Sequence, residues 1–444
     1  MSSPPFTVPA AARDQVGRYR WVVCALLFVA TTINYIDRQI LSLLKPMLDD
    51  KLHWTNQQFG EVNSAFQAAY AAGLLLFGAF IDRFGSRVGY ALSIAAWSAA
   101  AIGHAAVGSI GGFTLARVAL GLGEGGNFPS SIKAVALWFP KRERALATTL
   151  FNAGANVGAI IAPAVVPVLA LRFGWQMPFV VMGVAGLAWL LLWLPLYDDP
   201  QKLRGVSPAE LAYIAADAHA DGEEADAGAA RLPWRVLLRY RQAWSFIVAK
   251  LITDPVWWFF LIWLPTYFKS TRGLDIKSSW VHLVSIYAII TVLSIAGGWL
   301  TGFLVRTGMG AGRARKAAML IFALCVVPIL FVTRTSAWGS VLLIGLAGAA
   351  HQAWSANLFT TVSDMFPKRA VASVVGIGGM AGSLGGIIFP IYAGKLLDRF
   401  QAAGDITTGY GILFGICGSA YLVAFALNHL LAPRFQQIDV PGAR

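Results

Sequence analysis

Four charged residues stand where a membrane would make charge costly. Asp37 and Arg38 are adjacent in the outer half of an apolar run from Tyr19 to Pro46, and Arg117 and Glu124 lie in a later run. A charge at the centre of a spanning helix costs on the order of 3 kcal/mol, and such groups usually face a partner or a watery cavity. Two acids and two guanidinium groups in such places can take up protons and hold an anion. A carboxyl buried away from cations favours its neutral form, so Asp37 and Glu124 are candidate proton sites. Arg117 precedes Glu124 by seven residues, which puts both on one helix face. It can pair with an ionised Glu124 and release it on protonation. Arg38 keeps its charge and offers a planar fork that matches a carboxylate, so it is the candidate anchor for an acidic solute. The alternative is static pairing, Asp37 with Arg117 or Arg38 with Glu124.

The elements that carry these residues follow from composition. The 444 residues are 57% hydrophobic and 13% charged, with mean hydropathy +0.62. Soluble proteins carry about 25% charged residues, so the chain reads as an all-α, polytopic membrane protein. Apolar windows of about 20 residues predict twelve spans: 20–45, 57–80, 88–107, 112–138, 144–171, 175–196, 243–268, 280–305, 315–333, 338–364, 370–394 and 408–431. This divides the chain into a six-helix half over 1–196, a polar linker over 197–241 and a second six-helix half over 242–444. One set of loops, with both termini and the linker, holds more than twice the Lys and Arg of the other. Basic loops stay inside, so both termini are expected on the cytoplasmic side of a bacterial inner membrane. That asymmetry also accounts for the net charge of +13 without a nucleic-acid partner. Cys24, Cys325 and Cys417 all fall in apolar runs, so no disulfide is expected. In the linker, Ser207, Pro208 and Glu210 form a helix start, and the acidic stretch from Asp217 to Ala230 reads as flexible.

The halves repeat. FPKR occurs at 139–142 and at 366–369; Pro163 and Pro390 follow at equal spacing as apparent stops, and Gly158 matches Gly385. Parallel repeats suggest a transporter with its site at mid-depth between the halves. Gly154 and Gly158, and Gly378, Gly382 and Gly386, are spaced for close helix packing. Further polar candidates follow for a polyhydroxylated acid: Tyr35 and Tyr70 near Arg38; Asn152 and Asn156 on one face; His351, Gln352, Trp354, Ser355 and Asn357 in the tenth span. Trp257 and Trp258 offer a ring for stacking on a sugar. Lys250 and Asp254 are either a structural pair or a second acid-recognition site, and Lys133 either attracts the anion or faces a loop. Each polar group has a plainer reading as interhelical hydrogen bonding. No nucleophile–base pair stands out, no soluble catalytic domain is visible, and no metal or cofactor is implied.

The segment Gly78-Ala79-Phe80-Ile81-Asp82-Arg83-Phe84-Gly85-Ser86-Arg87 is similar to the G-x-x-x-D-R-x-G-R loop of the major facilitator superfamily. In that family the loop forms a cytoplasmic charge relay, which implies a gate at Gly78, Asp82, Arg83, Gly85 and Arg87. The second copy departs from the pattern, with Arg306 at the Asp position after Gly302. Asn34-Tyr35-Ile36-Asp37-Arg38, the run from Arg117 to Glu124 followed by Phe128-Pro129, and WFPKRERA at 138–145 resemble the anion:cation symporter family of organic-acid transporters. Residues 254–265, 351–357 and 370–380 look like its bacterial hexuronate branch. The resemblance implies twelve helices in two pseudo-symmetric halves and proton-coupled uptake of glucuronate or galacturonate by a monomer in the lipid bilayer, with carboxylates of the first and fourth helices carrying protons. Uptake of another sugar acid, such as galactonate or glucarate, is the alternative. A drug exporter of the same fold fits a buried Arg38 less well, and a non-transporting sensor or membrane enzyme has no domain here to serve it.

Overall fold

The computed structural model describes residues 17–203, 205–215 and 234–438. The acidic stretch expected to be flexible lies outside them. The described residues form helices and no strand: α1 (Tyr19–Leu52), α2 (Asn56–His104), α3 (Ile110–Glu124), α4 (Asn127–Trp138), α5 (Lys141–Phe173), α6 (Met177–Leu196), α7 (Pro208–Ala215), α8 (Trp234–Leu237), α9 (Arg241–Arg272), α10 (Ile276–Arg306), α11 (Ala311–Val326), a 3-10 segment (Val327–Arg334), α12 (Ala337–Met365), α13 (Lys368–Ala402) and α14 (Ile406–Leu431).

Nine helical stretches among the described residues are long and apolar enough to cross a membrane. One of them, α2, runs for 49 residues, about twice the length a crossing needs. It makes two crossings about Gly85, whose φ of 85° and ψ of 162° are open to glycine and costly for other residues. A further crossing is divided between α3 and α4. The last is α12, whose span carries His351, Gln352, Ser355 and Asn357 and is diluted in hydropathy. Twelve crossings result. Both ends of the described chain and the linker therefore lie on one side, called here the linker face. The other side is the far face.

The internal repeat is structural. Pro140 and Pro367 precede α5 and α13 with the same backbone, φ −61° and ψ 152° against φ −62° and ψ 149°. Pro163 and Pro390 do not stop their helices as expected. Both are embedded, and α5 and α13 run on to Phe173 and Ala402. The small residues do what their spacing predicts. A Cβ on Gly158 would stand 2.6 Å from the Thr32 carbonyl oxygen of α1, and one on Gly386 would stand 2.9 Å from Trp258 of α9. The fifth span thus lies on the first as the eleventh lies on the seventh.

Ser207 opens α7, accepting from the Glu210 backbone N–H at 3.1 Å. Glu210 does not sit on a solvated face. It is fully buried and accepts from the backbone N–H groups of Tyr19 and Arg20 at 3.1 Å each, so the linker caps the start of α1. Arg20 completes the dock with Glu143 at 2.9 Å and Glu210 at 3.2 Å. The three cysteines are free thiols.

The two sets of six spans meet where α2 packs on α13 and α10 on α5. The described hydrogen bonds that join them lie toward the far face. Asp398 accepts from the first two N–H groups of α2, Asn56 and Gln57, at 2.8 Å each. Asn56 Nδ2 donates to Gln401 at 2.8 Å, Lys269 donates to the Pro46 carbonyl at 2.7 Å, and Ser64 donates to the Ile387 carbonyl at 2.6 Å. Phe59 and Trp263 meet edge to face at 5.3 Å. Toward the linker face Gly78, Gly302, Gly376 and Gly379 have no atom within 4 Å of a Cβ position.

Candidate functional site

Midway along α1, Asp37 and Arg38 point to the helices that surround them. Arg38 Nε donates to Glu124 Oε2 at 2.6 Å. Glu124 is fully buried and Arg38 is 9% exposed. Glu124 ends α3, and the chain turns through Gly125 and Gly126 before α4 begins. That break leaves the carboxylate at the end of a rigid helix, aimed at α1. Arg117 Nη2 donates to the Arg38 backbone carbonyl at 3.3 Å. Asp37 is 1% exposed, and neither of its oxygens has a hydrogen-bond partner among the described residues. It feels the charges of Glu124 and Arg117. Of the two pairings open to the sequence, the structure makes Arg38 with Glu124. It leaves Asp37 and Arg117 as neighbours without a hydrogen bond.

Aromatic rings enclose the Arg38 guanidinium. Its Cζ stands 4.3 Å from the ring centre of Tyr70, 5.0 Å from Tyr35, 5.7 Å from Phe66 and 6.0 Å from Trp258. Trp258 comes from the other half of the molecule. Each ring contact is attractive through the π face and keeps water off the cation. A void of about 20 Å³ lies between Arg38, Arg117, Asn63, Gln67 and Trp258, room for about one water and not for a sugar.

The remaining sequence candidates divide. Trp257 turns away from Arg38 and stacks on His351 at 5.4 Å and 6°. His351 Nδ1 is 2.5 Å from the Tyr421 hydroxyl, and Trp354 is fully buried against Tyr421. Asn357 accepts from Thr301 at 2.8 Å. These groups serve packing within the second half in this conformation. Lys250 pairs with Asp254 at 2.7 Å, over the Phe359 ring at 4.6 Å. Asn152 is exposed and Asn156, Gln352 and Ser355 are half-buried. Lys133 donates to the Ile81 carbonyl at 2.7 Å and lies 3.4 Å from Asp82. Arg87 bonds Asp198 at 2.5 Å and the Leu194 carbonyl at 2.6 Å. Arg83 lies over the Phe84 ring at 5.2 Å. The described contacts of Asp82, Arg83 and Arg87 stay within the first six spans and the first residues of the linker, and none reaches the second six spans.

Asn34, Asn63 and Gln67 are buried at the site, and sequence reasoning passed over all three as site residues. The available signal was their spacing: Asn34 precedes Arg38 by four, and Asn63 precedes Gln67 by four, one helical turn in each case.

The sequence model of the Major Facilitator Superfamily matches residues 27–390. The chain is 29% identical over 407 residues to the hexuronate transporter of Escherichia coli (strain K12), covering 89% of this chain and 90% of that protein. It is 28% identical over 395 residues to a D-galactonate transporter of Escherichia coli O6:H1, covering 87% and 91%. Among solved structures it resembles a bacterial homologue of the human lysosomal transporter Spinster in an inward-facing, unoccupied conformation. The TM-score is 0.73, with 17% identity, over 94% of this chain and 97% of that one. With a family match over most of its length and the corresponding fold, the chain belongs to the major facilitator superfamily, as a multi-pass membrane transporter and not an enzyme.

Proposed function

We propose that this protein imports a hexuronate, glucuronate or galacturonate, together with protons across a bacterial inner membrane. The observation that carries the reading is the buried pair of Arg38 with Glu124 at 2.6 Å. A solute carboxylate can occupy the guanidinium only if Glu124 gives it up. Protonation makes Glu124 give it up, since a neutral carboxyl no longer holds a cation. Proton uptake and anion binding are then one event, and loss of the proton returns Arg38 to Glu124 and expels the anion. Asp37 is the second carboxyl of the cycle, and Arg117 balances both. The rings of Tyr35, Tyr70 and Trp258 wall the sugar. Hydroxyl partners come from Asn152, Asn156, Gln352 and Ser355 once the halves close over it.

In this reading the linker face is cytoplasmic, as its Lys and Arg suggest, and the conformation is closed to the outside. Residues 1–196 and 242–444 rock as a monomer about the site, joined by 197–241. The loop with Gly78, Asp82, Arg83, Gly85 and Arg87 engages the second half when the inside closes. The hexuronate and galactonate relatives stand at nearly equal identity, so an aldonate is the reading to separate. The experiment is counterflow in proteoliposomes loaded with glucuronate. Exchange with galacturonate and not with galactonate or glucarate supports the hexuronate reading; the reverse order replaces it. In the same vesicles Glu124→Gln, a fixed neutral side chain, is expected to keep exchange and to lose nearly all accumulation driven by a pH gradient. Unimpaired accumulation removes Glu124 from coupling.

A further inference from the structure

We infer that Gln67 is a specificity-determining residue, whose carboxamide hydrogen-bonds the first hydroxyl that follows the solute's carboxylate and so separates glucuronate from galacturonate. The inference rests on the hexuronate reading above and names the group that chooses within it. Gln67 lies on α2 one residue after Phe66, whose ring centre stands 5.7 Å from Arg38 Cζ and 5.4 Å from Arg117 Cζ. It is 2% exposed. Its amide makes no hydrogen bond among the described residues, which is rare for a buried carboxamide. It lines the void of about 20 Å³, whose other polar walls are Arg38, Arg117 and Asn63. Asn63, one turn earlier, is partly spent on its own helix, where Nδ2 donates to the Phe59 carbonyl at 2.9 Å. Arg38 and Arg117 have donors alone. Of the four, Gln67 is the one with a donor and an acceptor both uncommitted, which is what a hydroxyl asks of its partner.

The size of the void decides which part of the solute reaches the amide. It has room for about one water, and a hydroxyl has the size and hydrogen-bonding capacity of that water. With the carboxylate on Arg38, an oxygen that fills a water-sized space beside the guanidinium must lie close to the carboxylate along the sugar. In a pyranose hexuronate the first hydroxyl from the carboxylate is on C4, the one carbon at which glucuronate and galacturonate differ. It is equatorial in the first and axial in the second. The ring oxygen is as near, but it is common to both and cannot separate them. The polar wall of the void belongs entirely to the first six spans, whereas Trp258, Leu261 and Ile262 opposite it belong to α9 of the second six. In the proposed cycle the halves part, so the apolar side withdraws from a polar wall that stays whole. The ring then has room to enter with its C4 hydroxyl beside Gln67. An epimer that turns this hydroxyl away leaves the amide buried and unpaired, which costs affinity.

Removing the amide should therefore weaken binding of one epimer and spare the other. The experiment measures glucuronate and galacturonate affinity of the purified full-length protein by calorimetry. The variant is Gln67→Met, which keeps the length of the side chain and loses both hydrogen-bonding ends; Gln67→Ala covers the case in which it fails to fold. The wild type is expected to prefer one epimer. The variant is expected to bind that epimer about threefold to tenfold more weakly, the worth of one neutral hydrogen bond, and the other within about twofold of wild type, so that most of the preference is lost. Equal binding of the two epimers by the wild type, or weakening of both by the same factor in the variant, overturns the inference while the hexuronate reading stands. A wild type that binds galactonate and neither hexuronate removes that reading, and this inference with it.

Discussion

In the proposed cycle Arg38 does two things in turn: it satisfies Glu124 and it holds a solute carboxylate. Both uses depend on its shape as much as its charge. Its Nε is committed to Glu124 at 2.6 Å, and its plane lies against Tyr70. A lysine at this position would supply a point charge without the fork or the flat face. We expect Arg38→Lys to reach the membrane and to bind glucuronate more weakly by on the order of tenfold to a hundredfold, the worth of one charge-assisted hydrogen bond. Calorimetry on the purified variant checks it, and wild-type affinity would take the anchor role from Arg38. The four charges were legible from residue type and from their place in apolar runs. Which acid meets which guanidinium was not. Arg38 and Arg117 are chemically alike, and only the break after Glu124 aims that carboxylate at Nε. Gln67 was hidden for a different reason: a lone amide in an apolar run reads as interhelical glue, and its missing partner is visible only in three dimensions.

The helices were read well where apolar length decides and less well where backbone detail does. Windows of apolar residues place α1, α5, α6, α9, α10, α13 and α14 close to where they stand. The same windows separate the second and third spans, and the two crossings of α2 part there, at Gly85, whose backbone leaves the helical region. Those windows merge α3 and α4, because Gly125 and Gly126 add no charge that would interrupt an apolar window. No local pattern reveals that Asp398 caps α2, since the partners are 342 and 341 residues apart. A carboxylate on the first N–H groups of a helix is worth up to about 2 kcal/mol in a partly buried setting, and here it ties one half to the other. Asp398→Asn keeps a similar shape and loses the charge. We expect it to raise the population open at the far face. The readout is labelling of Ser64→Cys, a position 3% exposed in the seam, by an impermeant thiol reagent added from that side. The native cysteines are buried or half-buried, which keeps the background low. A labelling rate equal to that of the Asp398 parent would mean that the cap does not hold the seam shut.

At the scale of the molecule, the repeat was the most informative feature of the sequence. The two FPKR segments, with the proline geometry they share, announce two halves built alike, and glycine spacing announces which helices touch within each half. The orientation of one half against the other was not available from any of this. It depends on a seam that, among the described residues, has five hydrogen bonds near the far face, made by residues with no pattern in common. In the proposed cycle the same sequence forms a different seam in the opposite conformation, so neither seam can dominate the composition of the helices.

The pairing inside α1 and α3 has an electrical consequence. Asp37, Glu124, Arg38 and Arg117 sum to zero when all are ionised. The empty site can therefore change sides without carrying net charge through the membrane field. One proton with one monoanion leaves the sum at zero, and a second proton on Asp37 makes it +1. Only that loaded form would feel the potential, by about 2.3 kcal/mol per 100 mV. With two carboxyls at the site, we expect two protons per hexuronate. Uptake into proteoliposomes should then rise when a valinomycin–potassium diffusion potential, negative inside, is imposed without a pH gradient. Return of the unloaded carrier should not change with voltage. Uptake indifferent to the potential would leave a single proton in the cycle and assign Asp37 a fixed charge.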